Sequence, residues 1–128
     1  MKIQESAENY LERILMIKEN KGEVRSIDIA RALNFSKPSV SVAMKQFREN
    51  GYITMDQDGF IELTDKGHEI AERMYERHRV LTDMLIGLGV NDEVAREDAC
   101  RIEHVISAES FESIKAHLRE KTGLKETR

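Results

Sequence analysis

The sequence predicts a mainly α-helical protein carrying one short β-hairpin. Three observations lead there. Among 128 residues there are seven glycines, one proline (Pro38) and few aromatics, while 34% are charged, a composition that suits helices packed in water. Apolar residues recur at intervals of three and four along most of the chain. Only "YITMDQDGFIEL", residues 52 to 63, sets two β-prone runs around Asp58-Gly59, a strong short-range hairpin signal.

Residues 4 to 20 place Ala7, Tyr10 or Leu11, Ile14 and Ile17 or Lys18 at helical spacing, and Leu15 widens the stripe. This predicts a core-facing helix on which Asn9 and Glu12 stand one turn apart. Glu8, Arg13 and Glu19 read as solvated charges. Ser26 is the expected N-cap of a short helix reaching Leu33. After "NFS" turns the chain, Ser36 caps a second helix with Pro38 in its first turn and Val40, Met44 and Phe47 on its inner stripe.

Two helices about a tight connection, the second opening Ser-Lys-Pro-Ser, have the form of a DNA-reading helix-turn-helix; the other reading is a plain helical hairpin. The hairpin that follows makes the arrangement a winged helix-turn-helix. Candidate DNA-contacting residues are Ser36, Lys37, Pro38, Ser39, Ser41 and Lys45.

Beyond the wing, Thr64 is the expected cap of a long helix that stops at Gly87 or Gly89. Ile70, Met74, Leu81, Leu85 and Leu88 form its apolar stripe, with His78 inside it. Asn91 caps a helix expected to reach Val105 or Ile106, packed through Ala95, Ala99, Ile102 and Ile106. Ser107 starts the last helix, which is expected to end near Gly123 before a frayed "LKETR". The resulting domains are residues 1–70, which carry the winged helix, and residues 71–128, which are helical.

The net charge of −4 argues superficially against nucleic acid. Its distribution argues the other way, because between Arg31 and Arg48 there are four positive residues and no acid. Screening cuts off distant charge within about 10 Å, so the local face matters more than the total. A charged N-terminus, no apolar run of membrane length and a single cysteine point to a cytoplasmic chain with no membrane partner, in which Cys100 remains a thiol.

Within "DACRIEHVIS", Cys100, Glu103 and His104 fall at i, i+3 and i+4, so a helix would present thiol, carboxylate and imidazole from one face. The alternatives are a metal site and an ordinary polar face. His78 by itself reads more readily as a satisfied core histidine than as a ligand. Taken with Asn9 and Glu12, however, donors come from three separate helices at spacings that can converge, which is how metal sites in helical domains are built. No acid–base pair or Gly-rich phosphate loop that would indicate an enzyme is evident. A metal-free redox switch at Cys100 is the competing regulatory reading.

"DACRIEHVIS", "ERHRVL", "AENYLERIL" and the Ser-Lys-Pro-Ser-Val helix start together resemble the diphtheria toxin repressor family of iron- and manganese-dependent transcriptional repressors, in one order and register from about residue 5 to 120. The resemblance implies a homodimer with an N-terminal winged helix, a helical metal-binding and dimerisation domain, and Fe²⁺ or Mn²⁺ as co-repressor on a palindromic double-stranded operator. It maps metal ligands onto Asn9, Glu12, His78, Cys100, Glu103 and His104. Cysteine at position 100 follows the iron branch, which usually has methionine where Asn9 stands; Glu12 follows the manganese branch, which has acids at both positions. The form expected is the two-domain one, without the C-terminal domain of the iron branch. A thiolate leans toward Fe²⁺ and also admits Co²⁺, Ni²⁺ or Zn²⁺, whereas oxygen donors suit Mn²⁺.

Overall fold

The computed structural model describes residues 5–122 and orders them as α1 (Glu5–Lys21), α2 (Ser26–Leu33), α3 (Lys37–Glu49), β1 (Ile53–Met55), β2 (Ile61–Leu63), α4 (Asp65–Gly87), α5 (Asp92–Ile102) and α6 (Ala108–Thr122). The mainly helical class with one hairpin is as expected. The expected helix end at Gly123 and the "LKETR" tail lie outside the described residues. The chain divides into two compact units, one up to Tyr75 and one from Glu76. Among the described residues no helix is long and apolar enough to cross a membrane.

In the first unit, Ala7, Leu11, Ile14, Ile29, Val40, Met44 and Phe47 are buried in one apolar cluster with the hairpin residues Ile53 and Ile61. Phe47 meets Tyr10 edge-to-face at 5.7 Å and Tyr52 at 6.2 Å, which locks α3 against α1 and the wing. Asn34 adopts the left-handed conformation (φ 58°) that ends α2 and turns the chain into α3. Ser36 caps α3 as expected, its Oγ accepting from Ser39 N at 3.2 Å. Ser26 does not cap α2. It is the first helical residue, and the Asp28 carboxylate reaches back to accept from Arg25 N at 2.9 Å, a stronger acceptor than a serine hydroxyl for that exposed donor.

The strands pair antiparallel, with Thr54 opposite Glu62. A five-residue loop joins them, in which Asp56 Oδ1 accepts from the backbone of Asp58 and of Phe60, both at 2.9 Å. Gly59 supplies the positive φ of 87° that this loop requires. Ile61 N also donates to Val24 O at 2.8 Å, fastening the wing to the α1–α2 connection. Thr64 Oγ1 accepts from Gly67 N at 3.2 Å and donates to Gly51 O at 2.6 Å, so one hydroxyl starts α4 and holds it to the end of α3. Gly67 is required there because a Cβ would run into the Tyr52 carbonyl.

In the second unit, α4 stops at Gly87, and Asn91 Oδ1 starts α5 by accepting from Glu93 N and Val94 N. Among the described residues Leu81, Ala95, Ala99 and Phe111 are its buried apolar side chains. Two expectations fail here. Leu88 is 74% exposed instead of completing the α4 stripe, because the helix has ended one residue earlier and helical periodicity no longer directs its side chain. The last turn expected of α5 is also missing: the helix ends at Ile102, and residues 103–106 form turns. Ile102 and Ile106 are accordingly only half-buried. Ser107 starts α6 as expected, its Oγ accepting from Ser110 N at 3.0 Å.

Candidate metal centre

Although α5 is shorter than expected, its donors stay together. Glu103, the residue just past the helix, keeps helical dihedrals (φ −58°, ψ −27°), and its N–H still reaches Ala99 O. One ligand atom each from Cys100, Glu103 and His104 lies within 4.8 Å of the others. From α4, His78 Nδ1 comes to 3.0 Å from Glu103 Oε1, while His104 Nε2 lies 3.4 Å from Glu103 Oε2. Glu103 is therefore flanked by two imidazoles with a thiol nearby.

Burial gives this cluster its chemical meaning. The Glu103 side chain is 0% exposed and that of His104 likewise, and a carboxylate withdrawn from water is expensive unless positive charge or strong donors compensate it. The donor set is one soft sulfur, two borderline nitrogens and one hard carboxylate, which fits a divalent transition ion better than Mg²⁺ or Ca²⁺. His78, in an otherwise apolar stripe, thus turns its Nδ1 to a carboxylate.

On α1, the acid Glu12 is 4% exposed and Asn9 is half-buried. Burial of Glu12 exceeds what its flank position suggested. Glu8 and Arg13, read from the sequence as solvated, are half-buried; Glu19 is exposed as expected.

The other expected surface lies in the first unit. Ser36, Lys37, Pro38, Ser39, Ser41 and Lys45 are all exposed, Ser36 and Lys37 at the start of α3 and the others off the face that buries Val40, Met44 and Phe47. Ser36 donates its hydroxyl to Ser39 Oγ at 2.9 Å, so these two serines brace the helix start, and Ser39 keeps its own proton to donate outward. Lys37 and Ser41 border an open depression with Ser26 and Ile27. Sequence reasoning missed Val42, which is 58% exposed on the same helix. An isolated valine in an amphipathic helix gives no signal that separates it from the core stripe.

Residues 2–61 match the family described as "Iron dependent repressor, N-terminal DNA binding domain", and residues 64–122 match "Iron dependent repressor, metal binding and dimerisation domain". The chain belongs to the iron dependent repressor family. As a member of that family it is a transcriptional regulator and not an enzyme. It is 37% identical over 109 residues to the HTH-type transcriptional regulator MntR of Shouchella clausii, a match spanning 85% of this chain and 76% of that one. It is 35% identical over 113 residues to an uncharacterized HTH-type transcriptional regulator of Methanocaldococcus jannaschii, spanning 87% of this chain and 90% of that one. A solved manganese-dependent transcriptional repressor in complex with manganese superposes with a TM-score of 0.80 at 28% identity, covering 88% of this chain and 52% of that one. The T. acidophilum IdeR structure gives a TM-score of 0.77 at 26% identity, covering 97% of this chain and 56% of that one. The chain thus spans about half the length of these solved family structures.

Proposed function

We propose that this chain is a metal-activated DNA-binding repressor that controls metal-ion supply in the cytoplasm, with Fe²⁺ or Mn²⁺ as co-repressor. The observation that carries the reading is Glu103, a fully buried carboxylate set between His78 and His104 and beside Cys100. His78, Cys100, Glu103 and His104 would hold the cation. Asn9 and Glu12, brought in by the family resemblance, are the further oxygen donors. The working domains are residues 1–70 for DNA and residues 71–128 for metal and dimerisation, the first helix also serving the metal site.

Bound metal supplies a fixed positive centre that the neutral and anionic donors share. The chain's residues do the rest. Lys37 and Lys45 meet phosphate, while Ser39 and Ser41 face base edges, with Ser36 and Pro38 fixing the start of the reading helix. Exposed Ile86, Leu88, Val94 and Val105 in the second unit offer apolar area for a second copy of the chain, and a twofold dimer calls for a palindromic operator. A ligand shifts an equilibrium only by its differential affinity, so the metal must bind more tightly to the DNA-competent arrangement.

The test is fluorescence anisotropy with labelled DNA from the chain's own control region, under anaerobic and fully reducing conditions. Fe²⁺ or Mn²⁺ should strengthen binding by roughly 5- to 150-fold. Equal affinity with metal and with chelator would remove the metal-dependent reading; a response to oxidant alone would favour a thiol switch at Cys100.

A further inference from the structure

The early end of α5 raises a physical question: what holds Glu103 and His104 in place once the helix has stopped? A helix leaves its last carbonyls without intrahelical donors. Had α5 continued, Glu103 O would accept from residue 107 and Ile106 O from residue 110. Instead Ser110 N donates to Ser107 Oγ, and the chain has turned toward α6. Both orphaned carbonyls are taken by one side chain. Arg77 Nη1 donates to Glu103 O and to Ile106 O, each at 3.0 Å.

The same guanidinium lies over the ring of Phe111 on α6, 5.4 Å from its centroid. Its charge sits at the C-terminal end of α5, where the helix dipole favours a cation. Arg77 also precedes His78 on α4. One step of α4 therefore presents a candidate ligand and the group that braces two others. The cost is visible as well: Arg77 Nε is buried with no hydrogen-bond partner among the described residues, which the two carbonyl bonds must offset.

We infer that Arg77 is the positioning residue of the metal centre, replacing the missing last turn of α5 and fixing Glu103 and His104 in ligand geometry relative to His78. The inference rests on the ligand set proposed above. It assigns Arg77 no contact with the cation. It acts through the backbone carbonyls of Glu103 and Ile106, on either side of His104, as outer-shell partners fix ligands elsewhere.

The test compares wild type with Arg77→Met, Arg77→Lys and Ala95→Gly, the last lowering stability from inside α5 without touching residues 103–106. Co²⁺ is titrated into the reduced protein well below its unfolding midpoint, and the thiolate-to-cobalt absorption band is followed. Arg77→Met should weaken Co²⁺ binding by about 10- to 100-fold, the range for loss of an outer-shell partner, with Arg77→Lys between it and wild type. Ala95→Gly should unfold earlier yet titrate like wild type. Superposed titrations for Arg77→Met and wild type would overturn the inference, as would an equal loss in Ala95→Gly. Hydrogen exchange of the Val105 and Ile106 amides in metal-free protein supplies the second measurement. Arg77→Met should speed it about tenfold, the effect of losing roughly 1.4 kcal/mol of local protection; unchanged exchange would remove Arg77 as the brace even if the wild type gave no cobalt band, a result that would count against the proposed ligand set alone.

Discussion

His78 Nδ1 lies 3.0 Å from Glu103 Oε1, joining a residue in the interior of α4 to the first residue beyond the end of α5. This pairing places the only fully buried acid of the described residues against an imidazole. Glu103→Gln keeps the shape and removes the charge. It should lower Mn²⁺ and Co²⁺ affinity by more than the roughly 10- to 100-fold typical of an outer-shell loss, read by calorimetric titration. Binding as tight as wild type would take Glu103 out of the ligand set.

Metal choice should follow the hardness of two donors. Cys100→Glu combined with Asn9→Asp replaces a soft and a neutral proposed donor with carboxylates and should shift activation of DNA binding toward Mn²⁺. Cys100→Ala should depress the response to Fe²⁺ and Co²⁺ while the circular dichroism spectrum stays that of the folded protein. An unchanged response to all three ions would leave the thiol as a packing group.

Lys37 is exposed at the start of α3 with no acid nearby in sequence. Lys37→Ala should weaken binding to every DNA sequence alike and reduce the salt dependence by about 0.9 in log K against log salt for each phosphate lost per subunit. The check is a set of binding isotherms from low to high salt. An unaltered slope would place Lys37 away from phosphate.

Asp28 is held below the usual carboxylate range, first by its hydrogen bond from Lys21 at 2.7 Å and then by the Arg25 backbone N–H. A carboxyl group lowered in the folded state adds stability above its unfolded pKa and loses it as pH falls through the folded value. Wild type should therefore lose urea resistance below about pH 4 more steeply than Asp28→Asn, since aspartate titrates near 3.9 when unfolded. Parallel stability curves from pH 6 to pH 2.5 would contradict this.

Leu11 on α1 is 0% exposed within the core of the first unit. Leu11→Ala should cost about 2–5 kcal/mol, through lost transfer free energy and the cavity left behind. Urea unfolding of the metal-free protein measures it, and a loss under 1 kcal/mol, as for a surface change, would show that the core collapses to fill the space.

The sequence by itself determined the features set by local chemistry. Ser36, Thr64, Asn91 and Ser107 mark helix starts because each offers an oxygen to backbone N–H groups two or three residues ahead. Val40, Met44 and Phe47 declared the inner face of α3, and with it the outer face carrying Pro38, Ser41 and Lys45, because helical periodicity fixes both at once. "CRIEH" likewise held its three donors within a few residues. Tertiary structure alone decided how those donors were used. Arg77 reaches the Glu103 and Ile106 carbonyls beyond the end of α5 from another helix, a contact that "ERHRVL" by itself does not announce. The complete burial of Glu103, the turning of His78 toward it and the exposure of Leu88 also depend on long-range packing. A sequence window records which groups a segment offers; whether a buried polar group is satisfied depends on partners tens of residues away that only the fold brings within hydrogen-bonding distance.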